Sequence, residues 1–183
     1  QRENAVRARD LLLSQGFKTS VPIPESQIKR YLKKENFFQL ADHTKGINID
    51  LHWEITGRYN LLPIYYPLSE QAIHHATLLG KDIRTLNYDD LLIYLCIHGT
   101  SHCWEKLELI YSVAKIVTSG RISNWGNILQ TAKDLKCRRM VLLGMFLAEY
   151  FFDVSLPEGI QSAIQIDKKI IKLADYIIGK IIF

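Results

Sequence analysis

The spacing of apolar residues changes once along this chain, and that change limits the fold more than any other feature. Up to Leu86 the clearest apolar segments repeat every second residue; from Asn87 onward they repeat every third or fourth. A period of two belongs to strands and a period near 3.6 to helices. In INIDLHWEI, Ile47, Ile49, Leu51, Trp53 and Ile55 alternate with Asn48, Asp50, His52 and Glu54. Phe37–Ala41 precedes it through His43-Thr44-Lys45-Gly46, which predicts an antiparallel hairpin. Ala72–Leu78 and Ile83–Leu86, joined around Gly80, suggest a second strand pair. Ahead of these, Ala5–Gln15 reads as a helix stopped by Gly16, Phe17–Val21 as a short strand, and Glu25–Lys33 as a basic helix.

Asn87 is a suitable N-cap, and Asp89 and Asp90 stand where the helix dipole favours negative charge. Leu91–Ile97 is apolar nearly all round, as in a buried helix, and Gly99 reads as a kink or break. Trp104, Leu107, Tyr111, Ala114 and Val117 then recur at helical spacing until Gly120. Ser123 or Asn124 opens a helix with Trp125, Ile128, Leu129, Ala132 and Leu135 on one face. Arg138–Phe152 reads as a further buried helix, and Pro157 opens a last apolar stretch containing Ile170, Leu173 and Ile177. Strands followed by helices predict an α+β chain: a partial mixed or antiparallel sheet over 1–86, then a helical bundle over 87–183.

Composition narrows the function classes. The 183 residues are 48% hydrophobic, enough for a real core, and the net charge is +4. That charge admits a phosphate-bearing ligand, but no Lys/Arg run or RNA-binding signature marks a nucleic-acid partner. The densest basic patch, Lys29, Arg30, Lys33 and Lys34 around Tyr31 and Leu32, reads as a solvated helix face. Cys96, Cys103 and Cys137 form no CxxC pair or disulfide framework, which favours a reducing cytoplasm. The apolar runs fall far short of the ~20 residues of a membrane span. A start at Gln1 and an end at Phe183 with no polar tail suggest a piece of something longer.

Two constellations could carry chemistry. Asp50 stands on the polar side of its strand with His52; a strand-borne carboxylate is a good oxygen ligand for Mg²⁺, but one alone makes no site. In HGTSHCWE, His98, His102 and Glu105 would share a face if a helix ran through Gly99. A zinc-protease motif requires glutamate directly after the first histidine, and glycine stands there. Pattern alone leaves open a packed histidine pair or a metal site. His74 and His75 would point to opposite faces of their strand. No Walker loop, GxGxxG or GxSxG elbow is present.

IDLHWEI followed by LLIYLCIHGTSHCWEKLELIYSVAKIV resembles the uncharacterised bacterial nucleotidyltransferases of the polymerase-β-like superfamily. Members show an Asp-Leu-His-Trp strand, a His-Gly-x-x-His-x-Trp helix and an apolar helical tail like Met140–Glu149. The resemblance implies three catalytic carboxylates on a small sheet, two Mg²⁺ ions and an NTP substrate. Asp50 matches the third acid, implying that it ligates Mg²⁺ and activates the acceptor hydroxyl. His52, His98, His102 and Trp104 match motif positions and are implied to bind substrate or to hold the tail against the sheet. The family's Gly-Ser turn and Asp-x-Asp pair do not occur in this sequence and would precede Gln1 by family layout; Ser112 stands where many relatives have aspartate. The expectation is thus the later part of a Mg-dependent nucleotidyltransferase acting on an unknown acceptor, inactive by itself. The alternative is a non-catalytic protein- or peptide-binding module on a degenerate fold of that kind.

Overall fold

Both predicted hairpins form in the computed structural model, which describes residues 2–53 and 73–182. The chain makes two compact units, Gln1–Tyr66 and Pro67–Phe183. Eight helices and two antiparallel sheets among the described residues give the expected α+β class with helices toward the C-terminus.

In the first unit, α1 (Arg2–Ser14) and α2 (Glu25–Lys34) accompany a sheet of β1 (Lys18–Thr19), β2 (Phe37–Asp42) and β3 (Ile47–His52), in that order. Alternation decides the faces. Phe38, Leu40, Leu51 and Trp53 join Ala5, Ile28 and Leu32 in one apolar cluster, while Gln39, Asp50 and His52 stay exposed. Ile47 departs from the pattern, being 42% exposed at the start of its strand. Glu54 and Ile55, read as the strand's end, lie outside the described residues.

The β2–β3 turn is held by a single side chain. Asp42 Oδ1 accepts from Thr44 N, Thr44 Oγ1 and Lys45 N, and Oδ2 meets Lys45 Nζ at 2.9 Å. Those donors hold the Asp42 carboxyl far below the usual carboxylate range, the Thr44 hydroxyl contributing most. Gly46, at φ 65°, supplies the left-handed residue that completes the turn.

In the second unit, β4 (Ile73–Leu78) and β5 (Lys81–Leu86) close around Leu79 and Gly80, both at positive φ as a tight hairpin turn requires. His75, on β4, sits 2.7 Å from Asp82 on β5. Six helices follow: α3 (Tyr88–Ser101), α4 (Leu107–Thr118), α5 (Trp125–Asp134), α6 (Arg138–Phe152), α7 (Glu158–Ile166) and α8 (Lys168–Ile182). Nearly apolar all round, α6 takes the centre, packing against α3, α4, α5, α7 and α8.

Three sequence expectations need correction. The α3 helix does not break at Gly99; it runs on to Ser101 and ends because Cys103 and Trp104 turn left-handed, at φ 51° and 55°. Leu107 and Tyr111 are half exposed; α4 buries Ala114 and Val117 as expected, together with Ile110 and Val113. The last apolar stretch is two helices, divided at Asp167, whose carboxylate accepts from Lys169 N and from Arg139 Nε.

Candidate functional site

The hairpin builds one open polar face in the first unit. Register places Asp50 directly across from Gln39, and His52 across from Phe37. The Phe37 and His52 rings stack at 5.2 Å, which fixes the imidazole beside the strand. Asp50 is exposed and makes no hydrogen bond or ion pair among the described residues, so its oxygens are available. Gln39 was missed by the sequence reading, although alternation in Phe38-Gln39-Leu40 and the four-residue connection place it there.

In the second unit, Tyr94, His98 and His102 lie one turn apart along α3. Tyr94 stacks on His98 at 5.8 Å, and His98 meets His102 edge-on at 4.6 Å. Glu105 lies beyond the helix end and does not extend this row. Trp104 is elsewhere: it folds back so that its amide donates to Gly99 O at 2.9 Å, and its indole is 1% exposed. The ring fills the space left by two glycines. A Cβ on Gly99 would stand 2.3 Å from the Trp104 ring, and one on Gly144 would stand 2.7 Å from Cys96 Sγ and 2.9 Å from that ring. The His-Gly-x-x-His-x-Trp pattern thus splits into an outward pair of imidazoles and an inward glycine–tryptophan lock. Trp104, implied either to bind substrate or to hold the helical tail, is a core side chain; its Nε1 is buried with no partner among the described residues.

The family model described as "Uncharacterised nucleotidyltransferase" matches residues 1–153. The chain belongs to this family. No curated protein and no solved structure matches it significantly. The matched span takes in Asp50, His52, His98, His102 and Trp104 and runs through α6.

The family usually implies a divalent metal, and the residues can be tested against it. A Mg²⁺ ion takes hard oxygen ligands, which the Asp50 carboxylate supplies in chemical kind. One carboxylate with a neighbouring amide and imidazole is too few, and no cluster of three His, Cys, Asp or Glu able to hold a metal occurs among the described residues. The described residues therefore do not fit a magnesium ion by themselves. Two of the three thiols are poorly placed for nucleophilic chemistry. Cys96 and Cys137 are buried, and burial pushes both thiols up, Cys137 to about 11. Ser112 spends its hydroxyl on the Glu108 carbonyl one turn back. No helix among the described residues is long and apolar enough to cross a membrane.

Proposed function

We propose that this chain takes part in nucleotidyl transfer from an NTP to a hydroxyl-bearing acceptor, with Asp50 as its contributed carboxylate and a cytoplasmic setting. The family membership supports the reaction class. The observation that carries the role of Asp50 is its place on the open face of β3, unpaired and opposite Gln39. A carboxylate there can orient an acceptor hydroxyl and take its proton, with Gln39 and His52 able to hydrogen-bond the same substrate. The reading includes Mg²⁺ dependence: Asp50 would supply one oxygen ligand, and a bound ion would offset the negative charge of the triphosphate. His98 and His102 are assigned to binding a substrate group at the second unit by itself, and Trp104 to holding α3 in shape.

The test is transfer of label from an α-³²P NTP by the protein with its native flanking sequence, assayed with and without Mg²⁺. Asp50→Asn should lower turnover by about 10²–10³-fold, the usual cost of losing one electrostatic contributor to the transition state. Unchanged turnover removes Asp50 from the mechanism. A second reading is a non-catalytic protein- or peptide-binding module. Label transfer that depends on Asp50 excludes it.

A further inference from the structure

The four cations of α2 form two neighbouring rows on the helix. Lys29 and Lys33 are one turn apart in the first; Arg30 and Lys34 are one turn apart in the second, in line with Gln27 and Tyr31. Only the second row lines a cavity, of about 270 Å³. Its far wall is the segment Val21-Pro22-Ile23-Pro24, where two prolines restrict the backbone.

Side-chain and backbone contacts hold parts of this open cavity's walls. Tyr31 Oη donates to the Phe37 carbonyl at 3.0 Å, and its ring stacks on Phe38 at 5.4 Å, so the aromatic wall is held in place. Gln27 N donates to Pro24 O at 2.8 Å, tying the helix start to the proline wall. Arg9, Lys45 and Arg139 are each paired with a carboxylate. Arg30 and Lys34 have no hydrogen bond or ion pair among the described residues. Glu35 is the single acid of the lining, against two cations. Unpaired guanidinium and ammonium groups one turn apart suit a phosphate, while tyrosine and proline suit an apolar body.

We propose that this cavity binds a small phosphate-bearing molecule, with Arg30 and Lys34 on the phosphate and the Tyr31–proline walls against its apolar part. A nucleic-acid strand fits less well, because it would draw equally on Lys29 and Lys33, which do not line the cavity. The site is separate from Asp50: α2 packs Ile28 and Leu32 with Phe38, Leu40 and Leu51, whereas Asp50 projects from the opposite face of the sheet. It stands or falls independently of the transfer reaction.

The test is an NMR titration with phenyl phosphate, with inorganic phosphate, phenol and a short single-stranded RNA as separate probes. Phenyl phosphate should bind more tightly than inorganic phosphate or phenol. The double variant Arg30→Gln/Lys34→Gln should weaken it at least about tenfold, the sum expected of two exposed charge contacts. Lys29→Gln/Lys33→Gln and Asp50→Asn should leave binding unchanged. Arg30→Lys/Lys34→Arg should retain it, which separates loss of charge from loss of folding. Absence of phenyl phosphate binding overturns the proposal, as does equal affinity for phenol. Equal loss from both cation pairs, with RNA displacing the probe, also overturns it and marks the helix as a polyelectrolyte face.

Discussion

At the scale of single residues, the glycines beside Trp104 carry the sharpest consequences. Neither Gly99 nor Gly144 has positive φ, so an alanine suits the backbone at both and would even favour the helix by propensity. Sterics overrule propensity, since the Gly99 Cβ would fall 2.3 Å from a fully buried ring. Gly99→Ala should therefore destabilise the protein by about 1–3 kcal/mol, the cost of overpacking, read from urea unfolding. A stabilised Gly99→Ala protein would show that the Trp104 contact does not exist in solution. Asp42 gives a second test at this scale, through pH. Its folded-state pKa is depressed, so its contribution is present above the ordinary carboxylate pKa of about 4 and is lost as pH falls below it. Asp42→Asn should be less stable than wild type at pH 7, and the gap should narrow on acidification below about pH 4. A gap that is constant with pH would mean that Thr44 and Lys45 do not favour the charged form.

At the scale of elements, α3 shows how a local signal becomes a helix. Asn87 Oδ1 accepts from Asp90 N at 2.8 Å while its Nδ2 donates to Asp90 Oδ2 at 2.8 Å, so cap and first turn hold each other. Asn87→Ala should cost about 1 kcal/mol and Asn87→Ser much less, measured as the shift in chemical-denaturation midpoint. Equal losses would assign the effect to something other than the cap. This cap was legible in the sequence, as were both hairpins, because capping chemistry and period-two alternation act between residues close in the chain. Gly99 was misread for the opposite reason. A glycine in a helical run looks like a break until Trp104, five residues on, is seen to need the room. The α2 cavity was equally hidden: its cations are a regular helical row, but its second wall is an irregular proline segment with no period to read. For the Asp50 face, alternation announced the aspartate and histidine, and the same alternation with the four-residue connection carried the signal for Gln39, which the register sets opposite Asp50.

For the whole molecule, the question is whether two compact units behave as two cooperative units. Each has its own core. Phe38 and Leu40 centre the first, and Leu142, Met145 and Leu147 of α6, with Trp104, centre the second. Local stability follows the packing that a segment shares, so a defect confined to one core should lower protection chiefly there. Hydrogen exchange by mass spectrometry on Gly99→Ala decides it. Amides of α3, α4 and α6, which pack on one another, should lose protection, while those of β2 and β3 keep theirs. Equal loss in β2 and β3 would show that the chain unfolds as one body. The same experiment bears on function, because Asp50 and the α2 cavity both belong to the first unit. If that unit keeps its protection, phenyl phosphate binding should survive Gly99→Ala undiminished, even where His98 and His102 are no longer held in place.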